Sequence, residues 1–212
     1  MLKRVINCFY AQSYHNKQLV IVYEEIDELT CNFVENLSFD EGLKVIKIDS
    51  LRKRSLGELR NIGIVAADGE YVCQWDDDDW FDPDRLETQM RFLKKQGKVA
   101  CILSRWIIFD ACSEKAYLSN RRLWEGSILC KKEIMLKYPY PHISKGEDTI
   151  IIENLFNQEL LVLIDDMPEL YIYIYHGNNT WESSHFKRIL NASKELSFEY
   201  SLDIKSILLN SL

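Results

Sequence analysis

The sequence predicts an α/β fold: a mostly parallel sheet with helices on both faces, in three layers, α/β/α. Three observations predict it. Over the first hundred residues, stretches with apolar residues at helical spacing alternate with short β-branched runs, in the order helix, strand, helix, strand, helix, strand, helix. Alternation of this kind builds parallel sheets flanked by helices. The run Gln18-Leu19-Val20-Ile21-Val22-Tyr23 is apolar at consecutive positions, as a strand buried on both faces must be. Finally, Tyr71-Val72-Cys73-Gln74-Trp75 ends abruptly in Asp76-Asp77-Asp78-Asp79 before Trp80. That puts four carboxylates at a strand's carboxyl end, where open α/β sheets hold their ligands.

In chain order, Leu2, Val5, Ile6, Phe9 and Tyr10 recur at helical spacing over 2–12, with Lys3, Arg4 and Asn7 between them. Ser13 to Lys17 is a polar turn. The strand 18–23 ends in Glu24-Glu25-Ile26-Asp27-Glu28, a second acidic strand end. Residues 29–37 read as a short helix, 43–48 as a strand, and 50–55 as a basic loop with Arg52, Lys53 and Arg54. Ser55 and Glu58 stand three apart at the start of the helical pattern 56–67, the spacing of a capping box. Arg60 and Asn61 ride on this helix, and Asp68-Gly69 turns the chain into the central strand. Beyond the Asp run, Asp82 is placed to cap the next helix with Pro83 at its first position. Leu86, Met90 and Leu93 form that helix's inner face, and Gly97 stops it.

The second half changes character. Strands are expected over 99–109, 116–118, 127–130, 160–164 and 170–175, and helices over 132–137 and after Gly146-Glu147-Asp148. Tyr138-Pro139-Tyr140-Pro141 is a rigid aromatic loop. The tail from Ser184 is helical, with Phe186, Ile189, Leu190 and Leu196 as its apolar positions, and 204–212 forms a final amphipathic helix.

The chain has 212 residues, 47% hydrophobic and 28% charged, enough for one domain with a substantial core. A formal net charge of −7 argues against general nucleic-acid binding, which needs a basic surface. Six cysteines show neither CxxC spacing nor His pairing, so buried, reduced thiols in a cytoplasmic protein are expected. No apolar run approaches the roughly 18 residues of a membrane span. Met1-Leu2-Lys3-Arg4 leads into the amphipathic pattern rather than a signal peptide. The last helix has the composition to dock on its own domain, on a second copy of the chain in a homodimer, or peripherally at a membrane.

Four adjacent carboxylates repel one another by about a few kcal/mol at an effective dielectric of about 20. A divalent cation relieves this, because hard cations take carboxylate oxygens. The residues alone therefore predict a metal site that holds an anionic ligand, a diphosphate first of all.

Six stretches in order carry a family likeness. They are Leu59-Arg60-Asn61-x-Gly63, Ala67-Asp68-Gly69-Glu70-Tyr71, Asp76-Asp77-Asp78-Asp79-Trp80, Asp82-Pro83-Asp84-Arg85-Leu86, Trp124-Glu125-Gly126-Ser127 and Gly146-Glu147-Asp148-Thr149. Together they resemble the core of family 2 glycosyltransferases, from residue 1 to about residue 180. The resemblance implies a single domain of Rossmann-like GT-A fold, with a nucleotide-sugar half over 1–97, an acceptor half over 98–180 and C-terminal helices over 181–212. It implies an inverting enzyme, dependent on Mn²⁺ or Mg²⁺. Such an enzyme moves a sugar from a nucleotide diphosphate donor, expected to be a UDP-sugar, to a hydroxyl of a glycan or lipid-linked acceptor. The setting it implies is synthesis of surface polysaccharide or glycolipid at the inner face of the membrane.

Position by position, the resemblance assigns Asp78 and His176 to the metal, His176 matching a late His that lies near the metal or diphosphate. Asp76, Asp77, Glu24 and Arg60 fall to the donor, Asp148 acts as general base, and Trp124, Glu125 and Glu147 fall to the acceptor. Two departures stand out. Members of the family normally begin with an apolar strand and a Pro-Thr-Tyr-Asn-like loop, whereas residues 1–4 here enter a helix directly. Glu24-Glu25 stands where the family carries paired Asp residues. The first departure favours the alternative of a non-catalytic domain that binds a nucleotide sugar or a partner. A nucleotidyltransferase would also use carboxylates and a metal, but no Gly-rich phosphate loop is visible.

Overall fold

The computed structural model describes residues 2–37, 42–49 and 52–211. Ser50 and Leu51 of the expected basic loop and Leu212 of the last helix lie outside them. Helix α1 (Leu2–Ala11) buries Val5, Ile6, Cys8 and Phe9 along one stripe. Strands β1 (Leu19–Glu24) and β2 (Leu43–Ile48) pair in parallel, Leu19 opposite Leu43 through Glu24 opposite Ile48. Helix α2 (Glu28–Glu35) joins them, capped by Asp27, whose side chain accepts from the Thr30 N–H. Helix α3 (Leu56–Ala66) starts in the expected capping box: Ser55 accepts from the Glu58 N–H, and Glu58 accepts from the Ser55 N–H. β3 (Tyr71–Cys73) follows, and after the Asp run come β4 (Trp80–Phe81) and α4 (Arg85–Gln96), closed by Gly97 in the left-handed conformation at φ 60°.

The remaining elements are β5 (Ala100–Leu103), β6 (Ile107–Asp110), β7 (Lys115–Leu118), β8 (Leu129–Lys131) and α5 (Lys132–Lys137). They continue as α6 (Thr149–Asn157), β9 (Leu161–Ile164), β10 (Tyr171–Tyr175), α7 (Ser183–Asn191), β11 (Lys194–Glu195) and α8 (Phe198–Asn210). One sheet runs β3-β8-β5-β9 and a second runs β11-β7-β6-β10-β4, while β1-β2 stands alone. Helices cover both sides, giving the expected three-layer α/β/α arrangement. The sheets are mixed: β5-β9 and β6-β10 pair in parallel like β1-β2, and the other pairs are antiparallel. The short link between β6 and β7, residues 111–114, turns the chain straight back, with Glu114 at φ 56°; so tight a link permits only an antiparallel pair.

Three expectations are corrected. The strand over 99–109 is two strands in different sheets. The chain breaks at Ser104, whose hydroxyl bonds the Ile164 carbonyl and the Asp165 carboxylate, and at Trp106, whose N–H is taken by Ser119 Oγ. Asp82 does not cap α4. Its carboxylate accepts from the Asp84 N–H at 2.9 Å, and this turn delays the helix to Arg85. Leu196 is not helical: it follows β11, its N–H bonded to Ala116 O, because Lys194-Glu195 pairs with β7.

Between β1 and β3 lies a cavity of about 660 Å³, walled by Val20 and Val22 on one side, Tyr71 and Cys73 on the other, and Val5 and Gly63 from the helices. It opens toward Asp76 and Asp77. Of the cysteines, Cys8, Cys101 and Cys130 are buried and Cys112 is exposed, contrary to expectation for that residue. Burial pushes the Cys130 thiol up to about 12.

Candidate active site

The Asp run leaves β3 at the carboxyl end of that strand, and its four side chains part company. Asp76 turns back over the sheet, where Gln74 Nε2 donates to both of its oxygens at 3.3 and 3.2 Å. Gln74 is itself held by Tyr140, whose hydroxyl donates to Gln74 Oε1 at 3.2 Å. Asp77 is exposed. Asp78 points to the segment after β10. Asp79 is fully buried.

Arg60 joins the two halves of the site. From α3 its Nη2 donates to Asp76 Oδ1 at 2.8 Å, while Nη1 bonds the Glu147 carboxylate and lies 3.4 Å from Asp148 Oδ2. Burial alone would lower the Arg60 pKa, but Asp76, Glu147 and Asp148 more than offset this and raise it. Arg60, expected at the donor, is engaged here by Asp76, Glu147 and Asp148. Its guanidinium is occupied by three carboxylates and acts as a brace that fixes the distance between Asp76 and Asp148. Glu147, buried, is part of that brace and is not open to an acceptor. Burial raises the Glu147 pKa, and Arg60 works against the rise. Asp148 stands just before the first turn of α6 with a partly exposed side chain that caps no helical N–H.

Asp78 and His176 come together as expected. His176 Nε2 lies 3.2 Å from Asp78 Oδ2, and Asn179 Nδ2 donates to the same oxygen at 3.1 Å. The Asn178 N–H points at His176 Nδ1 from 3.3 Å. His176 and Asn179 together orient the Asp78 carboxylate.

Among the described residues no three His, Cys, Asp or Glu side chains form a cation cage. A diphosphate-bridging ion needs none, because such ions are held by one or two carboxylates together with substrate phosphates. Asp78 fits that part. Its Oδ1 carries no side-chain bond among the described residues, and burial, then the Asp76 charge, raises its pKa.

Two further candidates are placed differently from each other. Glu24, at the end of β1, accepts from the Arg54 N–H at 2.8 Å. Trp124 is corrected: it is buried, its ring 4.7 Å from Trp106 and 4.6 Å from the Arg122 guanidinium, with Nε1 donating to Asn120 O. It forms core, not an acceptor platform. Glu125 accepts from Arg122 at 3.1 Å and from the hydroxyl of Thr149, next to Asp148, at 3.3 Å.

The family model described as Glycosyl transferase family 2 matches residues 1–155. The chain belongs to glycosyltransferase family 2. It is 24% identical over 171 residues to an uncharacterized glycosyltransferase of Haemophilus influenzae, which covers 77% of this chain and 51% of that protein. The chain thus spans about half the length of this curated relative. Its fold resembles that of S. aureus TarS 1-349 in complex with UDP-GlcNAc, with TM-score 0.67 and 15% identity over 99% of this chain and 68% of that one. It also resembles the mannosyltransferase PcManGT from Pyrobaculum calidifontis in complex with GDP-Man and Mn²⁺, with TM-score 0.61 and 13% identity over 90% of this chain and 56% of that one.

In this family 2 glycosyltransferase chain, sequence reasoning missed the support beneath the Asp run. Tyr171 donates its hydroxyl to Asp79 Oδ2 at 2.5 Å, and the Ile174 N–H donates to Asp79 Oδ1 at 2.9 Å. Burial, then the Asp78 and Asp76 charges, pushes Asp79 well above the usual carboxylate range. Asp79 therefore pins the run to β10. Arg85 is fully buried and pairs with no carboxylate among the described residues. It lies 4.6–5.0 Å from the rings of Phe81, Tyr171 and Trp75 and donates to Gln74 O at 3.1 Å. Aromatic faces can carry a buried cation in this way. Gly126 allows close approach: a Cβ there would sit 3.1 Å from both Asp76 Oδ2 and the Trp106 ring, which would have to give by a few tenths of an ångström. Asp79, Arg85 and Gly126 were signalled in the sequence only by their presence in the matched motifs, and Tyr171 by none of them.

Proposed function

We propose that this chain is the core of an inverting, metal-dependent glycosyltransferase. It would move a sugar from a nucleotide diphosphate donor, a UDP-sugar in the first instance, to a hydroxyl of a glycan or lipid-linked acceptor. The observation that carries this reading is the Arg60 brace, which holds a donor-side carboxylate, Asp76, and an acceptor-side carboxylate, Asp148, at fixed separation beside Asp78. The nucleotide sugars bound by TarS and PcManGT, and the Mn²⁺ of the latter, support it by analogy of fold.

Residues 1–97 handle the donor in this account and 98–180 the acceptor. Glu24 accepts from the base, and Asp76, held by Gln74 and Arg60, accepts from sugar or ribose hydroxyls. Asp148 takes the acceptor hydroxyl's proton as that oxygen attacks the anomeric carbon. The new C–O bond forms on the face opposite the departing nucleoside diphosphate, so the configuration inverts. An Mn²⁺ or Mg²⁺ ion held by Asp78 would supply charge neutralisation for the leaving diphosphate. Among the described residues no helix is long and apolar enough to cross a membrane.

The alternative, a non-catalytic domain that binds a nucleotide sugar or a partner, is favoured by one observation. The β1-β2 pair is not hydrogen-bonded to the sheet that carries the Asp run, and the 660 Å³ cavity separates them. A thermal-shift screen of nucleotide sugars with and without Mn²⁺, followed by donor hydrolysis, separates the two. The enzyme reading expects a metal-dependent rise in Tm by mass action and turnover of the same donor. Binding without any hydrolysis or transfer supports the alternative in its nucleotide-sugar form, and no binding at all defeats the enzyme reading and leaves only a partner-binding domain.

A further inference from the structure

Two loops that leave the site meet again beside it. One runs from His176, on Asp78, to Trp181. The other carries Lys145, three residues before Asp148. Lys145 Nζ lies 5.5 Å from the Trp181 ring centroid and 3.5 Å from Glu182 Oε1. Trp181 is exposed and stacks on His185 of α7, ring centroids 4.4 Å apart and planes within 15°. The stack has a rigid footing. Phe186, fully buried, lies against Tyr175 and Tyr173 at 4.3 and 5.4 Å, so α7 seats on β10, the strand that leads to His176.

Cations gather around this platform. His185, already disfavoured as a cation by burial, feels the charges of Arg122, Arg188 and Lys145 as well. Arg122 reaches Glu125, which Thr149 also bonds, so it adjoins the residue after Asp148. Arg188 is exposed and pairs with no carboxylate among the described residues. Lys145, Arg122 and Arg188 thus gather near this stack, Lys145 paired with Glu182 and Arg122 with Glu125, and Arg188 without a carboxylate among the described residues.

We propose that Trp181, Lys145, Arg122 and Arg188 form the acceptor subsite, and that the acceptor sugar they take carries an anionic group, a phosphate or a carboxylate. This rests on the reading of Asp148 as the acceptor base. The indole, one face stacked on His185, offers what stays exposed of its ring to a sugar. The guanidinium and ammonium groups bind the anion through charge-assisted hydrogen bonds. The fork of Arg122 and Glu125 ties the subsite to Asp148, so an anion seated on Arg122 places a neighbouring hydroxyl at the base. Trp181 thereby takes the role that the sequence suggested for the buried Trp124.

The test titrates glucose, glucose 6-phosphate and glucuronic acid into the full chain with Mg²⁺ and UDP present. It follows the Trp181 indole N–H signal by NMR, assigned by its loss in Trp181→Phe. Both charged sugars should shift that signal and bind about five-fold or more tighter than glucose, the combined effect expected of two or three partly exposed ion pairs. The ratio between them tells phosphate from carboxylate. Lys145→Gln combined with Arg188→Gln should abolish the preference while UDP still binds. Equal binding of all three sugars, an unmoved Trp181 signal, or a preference that survives the double substitution would overturn the proposal. If UDP fails to bind while the charged-sugar preference holds, the donor reading falls and the subsite stands.

Discussion

Replacing Arg60 by Gln removes the charge that joins the two halves of the site. Glutamine keeps two N–H donors, but it leaves Glu147, whose side chain is 3% exposed, as an uncompensated buried carboxylate. Asp76 and Asp148, at 29% and 18% exposed, recover part of their solvation. Removing one partner of a buried ion pair costs about 3–5 kcal/mol, and protonation of Glu147 limits the loss, so about 3 kcal/mol at pH 7 is expected. For a chain of this length that lowers Tm by about 6–12 °C. The pH dependence gives the sharper signature. Burial already raises the Glu147 pKa above its ordinary 4.5, and Arg60 opposes that rise, so the variant's value climbs further. A carboxyl with a raised folded pKa costs stability above that pKa and regains it as pH falls toward the unfolded value. The deficit of Arg60→Gln against wild type should therefore be full at pH 8 and shrink toward pH 5, read by urea denaturation at each pH. A loss below about 1 kcal/mol, or a deficit that grows on acidification, would refute the brace.

Other consequences are open to the same methods. Tyr171→Phe strips Asp79 Oδ2 of its donor and should cost about 1–3 kcal/mol. Asp79→Asn, which keeps an acceptor and removes the charge, should cost less in the same denaturation assay; the reverse order would contradict a buried carboxylate raised by desolvation. Trp124→Ala should destabilise by about 3–5 kcal/mol in urea, because its ring is core; unchanged stability would return it to the surface. Burial comes first among the causes that raise Asp78, Asp79, Glu125 and Glu147, so each contributes more stability at low pH. The wild-type Tm should fall as pH rises from about 5 to 8. His185, lowered below its ordinary 6.5, works the other way over the window just under that value, while the lowered carboxylates Glu58, Asp68, Asp165 and Glu199 do so only below their ordinary 3.8–4.5. A Tm that climbs steadily over the whole range would contradict these shifts.

What was legible in the sequence was local. The capping box at Ser55 and Glu58, the stop at Gly97 and the strand 43–48 each depend on a few consecutive residues, and each formed as expected. The pairing of Asp78 with His176, 98 residues apart, came from the order of motifs and not from any local pattern. Long-range placement set the limit elsewhere. Nothing near Trp124 announces Trp106 as its neighbour, and nothing near Arg60 shows that its partners lie 16, 87 and 88 residues away. The strand expected over 99–109 failed for a similar reason. Its apolar pattern continues across Ser104-Arg105-Trp106, and only hydrogen bonds to Asp165 and Ser119 switch it between sheets. Asp82 had the composition of a helix cap, but a competing side-chain turn onto the Asp84 N–H took its carboxylate.

The central claim is that Asp78 holds a divalent ion against a donor diphosphate while Asp148 serves the acceptor. Calorimetric titration of UDP into the chain with Mn²⁺ tests it most directly, in parallel for wild type, Asp78→Ala and Asp148→Asn. The account predicts binding by wild type and Asp148→Asn that vanishes on chelation with EDTA, and little or none by Asp78→Ala. UDP binding that is indifferent to Mn²⁺, or equally strong in Asp78→Ala, would contradict it.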